Sequence, residues 1–454
     1  MFDVVILGGG SGGYACALRS AQLGLKVALI ERDKLGGTCL HRGCIPTKAL
    51  LHAAEVADTA REGSHIGVNS SLQSIDLPKV NEYRDGVVGR LYKGLQGLVK
   101  SKDITYIEGS GRVVAPNAVE VNGQRIEGRN LVLATGSYSR SLPGLEIGGR
   151  VIASEQALQL DWIPNKVIVL GGGVIGVEFA SVWKSFGADV TVIEALPRLV
   201  PAEDEAVSKT LERAFRKRGI AFSTGVRFAS ATQDATSVTA TLENGTSYTA
   251  DLMLVAVGRG ANGAGHGFEE IGVTVDRGWV PTDERLRTNV PNVYAVGDLV
   301  PGLQLAHRGF QHGIFVAEEI AGLNPRMIED RAIPKVTYCE PEIASVGYSE
   351  AQAKEKYGAD NIATYEYNLG GNGKSQILGT AGFIKLVREK GGPVVGVHMI
   401  GARVGEQIGE AQLIFNWEAA PEDVAPLIHA HPTQNEALGE AHLALAGKPL
   451  HAHA

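Results

Sequence analysis

Two cysteines, Cys39 and Cys44, lie in the segment GGTCLHRGCIPTK of residues 36–48 and could carry redox chemistry. In a regular α-helix, residues five apart have Cα atoms about 8 to 9 Å apart, whereas a disulfide needs Cα atoms closer than about 7 Å. The two thiols can therefore pair only where the backbone is irregular, and Gly43 permits such a break. Lys48 can favour the thiolate form of a nearby sulfur. The alternative, two buried structural cysteines, is disfavoured by the segments around them.

A nucleotide-binding pattern directly precedes the cysteines. An apolar strand over residues 3–7 leads into a G-x-G-x-x-G motif, and the motif opens a helix predicted over residues 14–23. A second strand follows and ends at Glu31, where an acid about 20 residues after the glycines can accept ribose hydroxyls. The glycines let the backbone approach a pyrophosphate at the helix N-terminus. The motif glycines are Gly8, Gly10 and Gly13.

The same pattern occurs a second time in the middle of the chain. A strand over residues 166–170 leads into a second motif and helix, and the next strand, over residues 189–193, ends at Glu194. The second set of motif glycines is Gly171, Gly173 and Gly176. Two such units imply two bound nucleotides. With a cysteine pair between them, they favour a flavoprotein that moves electrons between thiols and a nicotinamide.

Composition sets limits on the other function classes. The chain of 454 residues is too long for one core and should split into several domains. A net charge of −7 argues against nucleic-acid binding, and four cysteines are too few for a disulfide scaffold. No apolar run approaches the roughly 20 residues that span a bilayer, and strand pattern starts at the N-terminus without a charged leader. We therefore expect a cytoplasmic location and no membrane partner.

The cysteine segment closely resembles the redox-active motif of the pyridine nucleotide-disulfide oxidoreductases. Residues 429–436, HAHPTQNE, resemble the catalytic histidine motif of the same family, and the resemblance covers essentially all 454 residues. It implies an α/β fold with two Rossmann-like dinucleotide-binding domains, one for FAD and one for NAD, and a C-terminal α+β dimerisation domain. The implied boundaries are 1–145 and 271–333 for the FAD domain, 146–270 for the NAD domain and 334–454 for the dimer interface.

The resemblance also implies the roles of the reactive side chains. Cys39 is the thiol that meets the substrate, and Cys44 is the thiol beside the flavin. His431 moves protons during thiol exchange, and Glu436 holds the imidazole and stabilises its charged form. His429 is expected to be structural.

Cofactor contacts are implied at positions that match family segments. Lys48 and Glu178 are expected to form an ion pair near the flavin, where hydride arrives or leaves. The segments LVLATG, VGR and NVYAVGD resemble strand ends that contact the cofactors. The expected cofactor-binding residues are therefore Gly8, Gly10, Gly13, Glu31, Lys48, Thr135, Gly136 and Asp298 for FAD, with Gly171, Gly173, Gly176, Glu194 and Gly258 in the second unit.

The implied activity is oxidation of protein-bound dihydrolipoyl groups with reduction of NAD. The implied partners are a second copy of the chain and either the lipoyl-bearing acyltransferase of a 2-oxoacid dehydrogenase complex or the lipoyl protein of glycine cleavage. The alternatives are reduction of a glutathione- or mycothiol-type disulfide, reduction of a quinone or dye, and a docking role without catalysis. Mercuric reduction is disfavoured because the C-terminal tail lacks a cysteine pair. Cys16 and Cys339 are expected to be inert, and the tail of residues 446–454, with His451 and His453, to be mobile and free of metal.

Overall fold

Short apolar strands in the first third of the chain form a largely parallel sheet. The computed structural model describes residues 1–452. The elements up to residue 139 are β1 (Phe2–Leu7), α1 (Ser11–Gln22), β2 (Val27–Glu31), α2 (Gly37–Arg42), α3 (Cys44–Glu62), α4 (Leu77–Ser101), β3 (Thr105–Glu108), β4 (Arg112–Ala115), β5 (Ala118–Val121), β6 (Gln124–Leu133) and β7 (Ser137–Ser139). The strand order is β3-β2-β1-β6-β5-β4, and β1 is parallel to both β2 and β6.

A second parallel sheet follows without interruption. Its elements are β8 (Val151–Ile152), α5 (Ser154–Ala157), β9 (Lys166–Leu170), α6 (Val174–Ser185), β10 (Asp189–Glu194), α7 (Glu205–Lys217), β11 (Ala221–Thr224), β12 (Phe228–Gln233), β13 (Val238–Leu242), β14 (Ser247–Ala250), β15 (Leu252–Val255) and β16 (Arg259–Ala261). The order is β11-β10-β9-β15-β8, while β12, β13 and β14 form an antiparallel sheet and β16 pairs with β7. Strands β9 and β15 are almost wholly buried, as expected for parallel strands covered on both faces.

The chain then returns to the first sheet. Strand β17 (Val293–Ala295) pairs in parallel with β6, and helix α8 (Ala306–Ile320) packs along α1. The two helices approach so closely that a Cβ atom at Gly313 would lie 2.2 Å from the carbonyl oxygen of Gly12. The first sheet and its covering helices therefore come from two segments separated by the whole second sheet.

The last third forms an antiparallel sheet covered by helices. Its elements are β18 (Lys335–Thr337), β19 (Glu342–Gly347), α9 (Glu350–Tyr357), β20 (Ile362–Asn368), α10 (Gly373–Leu378), β21 (Phe383–Glu389), β22 (Val394–Gly401), α11 (Val404–Asn416), α12 (Pro421–Val424) and α13 (Glu436–Leu445). The strand order is β18-β19-β22-β21-β20. Helix α11 packs on β19 and β22, and α13 packs on β20 and β21. Among residues 1–452, no helix is both long and apolar enough to cross a membrane.

Candidate active site

Cys39 and Cys44 form a disulfide with Cα atoms 4.6 Å apart. Cys39 lies within α2, and Cys44 is the first residue of α3. Gly43 separates the two helices with φ −145° and ψ −107°, a conformation outside the helical region. The predicted pairing is confirmed, and it depends on the break in the helix that Gly43 makes.

A buried ion pair connects the disulfide helix to the second nucleotide unit. Lys48 lies on α3, and its Nζ is 2.9 and 2.8 Å from the two carboxylate oxygens of Glu178 on α6. The Glu178 side chain is only 4 % exposed. The backbone N–H of Tyr338 donates a third hydrogen bond to this carboxylate at 2.9 Å, and Lys48 Nζ lies 4.8 Å from the centre of the Tyr338 ring. Because removing Lys48 would leave the buried Glu178 carboxylate without its charged partner, the pair fixes α3 against α6.

The first glycine motif forms a cradle with one open side. A Cβ atom at Gly13 would lie 1.8 Å from the carbonyl oxygen of Gly8, so the third glycine is required by close packing. At Gly10 the nearest atom to such a Cβ would be the Cα of Gly37 at 3.9 Å. Gly10 is also the N-cap of α1 and supplies no side-chain cap. The open backbone at an uncapped helix N-terminus fits the pyrophosphate of a dinucleotide.

The second motif is built in the same way. A Cβ atom at Gly176 would lie 1.9 Å from the carbonyl oxygen of Gly171, whereas nothing lies within 4 Å of one at Gly173. Gly173 is the N-cap of α6, again without a side-chain cap. This cradle also fits a dinucleotide.

The acidic residue at the end of each second strand contacts its own cradle. Glu31 accepts a 2.6 Å hydrogen bond from the N–H of Gly9, and Glu194 accepts a 2.7 Å bond from the N–H of Gly172. Burial raises the pKa of Glu31, although the hydrogen bond from Gly9 opposes that shift. Both carboxylates therefore lie beside the open glycines, where the sequence predicts ribose binding.

Asp298 contacts the segment that follows β6, the last long strand of the first sheet. Its Oδ2 accepts a 2.6 Å hydrogen bond from the Ser137 hydroxyl. Arg259 Nε donates to the same hydroxyl oxygen at 2.8 Å. The predicted flavin-contacting aspartate is thus held by the two-stranded ribbon of β7 and β16.

The other predicted contacts lie where strands end. Thr135 follows β6, and its hydroxyl donates to the carbonyl oxygen of Asn262 at 2.7 Å. Gly136 and Gly258 have φ of +72° and +108°, and nothing lies within 4 Å of a Cβ atom at either position. These positions combine a backbone conformation that suits glycine with open space beside it.

His431 and Glu436 form the predicted pair before α13. His431 Nδ1 lies 2.8 Å from Glu436 Oε1, and the N–H of Thr433 donates to Glu436 Oε2 at 2.7 Å. Burial acts to raise the pKa of Glu436, but the hydrogen bonds from Thr433 and His431 lower it overall. The His431 side chain is 79 % exposed. An ionised carboxylate thus holds Nδ1 and leaves Nε2 facing outward, the arrangement of a proton-transfer group.

The two reactive groups are separate within one chain. Among residues 1–452, no hydrogen bond links His431 to Cys39 or Cys44. Cys39 and Cys44 lie on α2 and α3, and α3 packs on α6 of the second unit, whereas His431 lies on the loop before α13 in the last third of the chain. One chain therefore carries the disulfide and the exposed histidine on different elements.

The whole chain matches a known family. Residues 2–313 match the family described as "Pyridine nucleotide-disulphide oxidoreductase", and residues 333–442 match its dimerisation domain. The chain belongs to the pyridine nucleotide-disulphide oxidoreductase family. The predicted family and fold class are confirmed, and the dimerisation domain supports a homodimer.

Relatives of this oxidoreductase include enzymes from bacteria and plants. A dihydrolipoyl dehydrogenase of Bacillus subtilis is 42 % identical, with 99 % of both chains covered. The mitochondrial dihydrolipoyl dehydrogenase 1 of Arabidopsis thaliana is 38 % identical, covering 99 % of this chain and 91 % of the relative. A leghemoglobin reductase of Glycine max is 37 % identical over 99 % of this chain and 88 % of the relative.

Two solved structures have the same fold. The LpdA protein of Mycobacterium tuberculosis superposes with a TM-score of 0.91 at 25 % identity, covering 98 % of this chain and all of the other. The HOCl-induced flavoprotein disulfide reductase RclA of Escherichia coli gives 0.87 at 27 % identity, covering 97 % of this chain and 99 % of the other.

The remaining cysteines and histidines of this oxidoreductase lie outside these contacts. Cys16 and Cys339 are free and buried; burial raises the pKa of Cys16 to about 12 and that of Cys339 well above its usual value. In the tail, His451 Nδ1 lies 2.9 Å from Glu440, whereas His453 lies outside the described residues. Within residues 1–452, no group of three or more His, Cys, Asp or Glu side chains could hold a metal ion.

Sequence reasoning missed two groups that support this family site, the backbone N–H of Tyr338 and the side chain of Arg259. Tyr338 is 160 residues from Glu178 and contributes a backbone N–H, which no motif can mark. The sequence marks Arg259 only as the last residue of the segment VGR and does not indicate its bond to Ser137. Both could be found only after the strands had been placed.

Proposed function

We propose that this protein is a dihydrolipoyl dehydrogenase, a flavoprotein that oxidises protein-bound dihydrolipoyl groups with reduction of NAD. The observation that carries this proposal is the Lys48–Glu178 pair, because it joins the helix that begins with Cys44 to the helix that begins at the second cradle. The ion pair therefore connects the thiol pair directly to the proposed nicotinamide site. The substrate class is supported by the full-length relatives that carry this enzyme's name.

The chemistry follows from the disulfide. A dihydrolipoyl thiolate attacks the Sγ of Cys39, and the Cys39–Cys44 bond breaks to release the Cys44 thiolate. The second dihydrolipoyl sulfur then attacks the mixed disulfide, which releases a cyclic lipoyl disulfide and the Cys39 thiolate. His431, held by Glu436, takes the protons of the attacking thiols. The first cradle would hold FAD and the second NAD; together they would supply the two-electron acceptors that restore the Cys39–Cys44 disulfide, with NADH as the final product and one proton released.

The two cradles hold the cofactors in this proposal. The FAD site comprises Gly8, Gly10, Gly13, Glu31, Lys48, Thr135, Gly136 and Asp298. The NAD site comprises Gly171, Gly173, Gly176, Glu194 and Gly258. The uncapped helix N-termini supply partial positive charge to each pyrophosphate, and no described residue occupies the open sides at Gly10 and Gly173.

The same proposal sets the domain limits and the partners. The FAD domain comprises residues 1–145 and 271–333, the NAD domain 146–270, and the interface domain 334–454, in agreement with the three main sheets. The partner is the lipoyl-bearing acyltransferase of a 2-oxoacid dehydrogenase complex, the lipoyl protein of glycine cleavage, or both. A cytoplasmic location suits two unpaired buried thiols in a chain with one redox-active disulfide.

A side-by-side assay of the FAD-loaded protein tests the activity. We expect dihydrolipoamide to reduce NAD with a kcat/KM at least about a hundredfold above that for glutathione disulfide or a quinone with NADH; about a hundredfold corresponds to about 2.7 kcal/mol of transition-state binding. Rates should be compared at saturating nucleotide. A higher kcat/KM for glutathione disulfide or for the quinone would assign the protein to the disulfide reductases or to the quinone reductases instead.

The nucleotide preference is a separate prediction. Glu194 would meet a ribose 2′-hydroxyl and repel a 2′-phosphate, and Arg198 is already bonded to the carbonyl oxygens of Pro201 and Glu203 at 3.0 and 3.1 Å. We expect kcat/KM to favour NAD over NADP by at least about tenfold, or about 1.4 kcal/mol, and Glu194→Ser to narrow that ratio. The matched variant Glu31→Ser changes the other cradle and should leave the ratio unchanged. A preference for NADP in the wild type would refute the assignment.

A further inference from the structure

Two histidines on the loop that precedes α13 each pair with a carboxylate from a neighbouring helix. The first is His431 with Glu436, at 2.8 Å and exposed. The second is His429, whose Nε2 lies 2.9 Å from Oε1 of Glu410 on α11. The His429 side chain is 12 % exposed, against 79 % for His431. The second pair is therefore an internal contact placed two residues before the reactive histidine.

Glu410 holds this loop at two points. Its Oε1 bonds to His429, and its Oε2 accepts a hydrogen bond from the side chain of Asn435. His429 and Asn435 stand on either side of His431 in the chain. One carboxylate on α11 thus holds the segment around His431 at both ends.

The packing beneath the loop fits this arrangement. A Cβ atom at Gly439 on α13 would lie 2.5 Å from His429 Nδ1, so only glycine leaves room for the imidazole. The Asn372 side chain donates to the carbonyl oxygen of Thr433 at 2.9 Å, and Gln434 donates to that of Ala402 at 2.8 Å. The loop is bound on several sides, while His431 itself makes its bond only to Glu436 among the described residues.

The charges around Glu410 agree with the geometry. The hydrogen bond that His429 donates to the Glu410 carboxylate raises the pKa of His429. Burial acts to raise the pKa of Glu410, but its bonds to His429 and Asn435 lower it overall. His442 on α13 also faces the pair, and burial lowers its pKa to about 4, so it stays neutral. His429 in turn helps to lower the pKa of Glu436.

We propose that Glu410 is a positioning residue for His431, acting through His429 and Asn435 to hold the reactive imidazole where it can take a thiol proton. This inference rests on the proposed function of His431. The Glu410 carboxylate bonds to His429 and Asn435. Its effect is the placement of another group, and small misplacements of a proton-transfer group lower rates by about a hundredfold.

The test uses the FAD-loaded enzyme with Glu410→Gln and Glu410→Ala. We expect Glu410→Ala to lower kcat with dihydrolipoamide at least about tenfold, with KM within about twofold. The acid limb of its profile of kcat against pH should be displaced, because His429, which lowers the pKa of Glu436, loses the carboxylate that raises its own pKa. Glu410→Gln keeps an oxygen acceptor for Asn435 and should recover part of kcat. NADH oxidation by ferricyanide, which needs neither the thiols nor His431, should stay within about twofold of wild type.

Glu440→Ala is the matched control. Like Glu410, Glu440 contacts a histidine with its carboxylate. His451 Nδ1 lies 2.9 Å from Glu440 Oε1, and the His451 backbone N–H donates to Oε2 at 3.0 Å, but His451 lies in the tail. This variant should retain the wild-type kcat and pH profile. Unchanged kcat and profile in both Glu410 variants would overturn the inference, as would equal loss of the dye and dihydrolipoamide activities in Glu410→Ala. A wild-type enzyme without dihydrolipoamide activity would instead refute the proposed function.

Discussion

Replacement of Cys44 with serine is expected to lower dihydrolipoamide oxidation at least about a thousandfold, because a hydroxyl can neither form the disulfide nor leave as a thiolate. We also expect an optical signature. Two-electron reduction of the wild-type protein under anaerobic conditions should give a long-wavelength absorbance band that needs a thiolate against the flavin, and Cys44→Ser should lack it. Stopped-flow absorbance together with steady-state turnover would measure both effects.

Cys339→Ser serves as the comparison for that variant. The Cys339 thiol is buried and donates to the carbonyl oxygen of Pro341 at 3.2 Å, a bond that a serine hydroxyl can replace. This variant should keep both the band and most of the activity. If the band persisted in Cys44→Ser and vanished in Cys39→Ser, the roles of the two active cysteines would have to be exchanged.

Mixing two inactive variants should restore activity if each site takes its thiols from one subunit and its histidine from the other. We take His431→Gln and Cys44→Ser, unfold them together in equal amounts and reassemble them with FAD. A mixed dimer then has one site with both groups intact and one site with neither. Random pairing makes about half of the dimers mixed, so activity should approach about a quarter of the wild-type value.

The reason for this expectation is the exposure of His431 and its separation from the thiols within one chain. Subunits carrying different tags would show by pull-down that mixed dimers had formed. His431→Gln mixed with Glu436→Ala provides the control, since both changes fall in the same half of the site and no mixed dimer has an intact pair. Activity that stayed at the level of the separate variants, despite proven mixing, would place the histidine and the thiols of one chain together.

Much of the fold could be predicted because its signals are local. Each cradle is specified within about 20 residues by glycines whose spacing follows from a strand, a tight turn and a helix. The disulfide could be predicted for the same reason. Gly43 lies between the two cysteines, and its effect on the helix can be inferred from its residue type. Signals of this kind do not depend on knowing which distant segments meet.

The supporting contacts could not be predicted, because they join segments far apart in sequence. Glu410 lies in a helix without a motif, and its two partners are recognisable only once α11 has been placed beside the loop. Tyr338 acts on Glu178 through a backbone N–H that most residue types could supply. The chemistry of the site was therefore easier to infer than the structure that holds it in place.

The discontinuity of the first sheet has a consequence for biosynthesis. A ribosome that has added Val255 has already made all five parallel strands of the second sheet. At that moment β6 still lacks its neighbour β17, and α1 has no α8 to cover it. Domains fold as units while the chain emerges, so the second sheet can mature while the first sheet waits for about 65 further residues. Under the proposed assignment of FAD to the first sheet, the flavin is then captured late in synthesis of the chain.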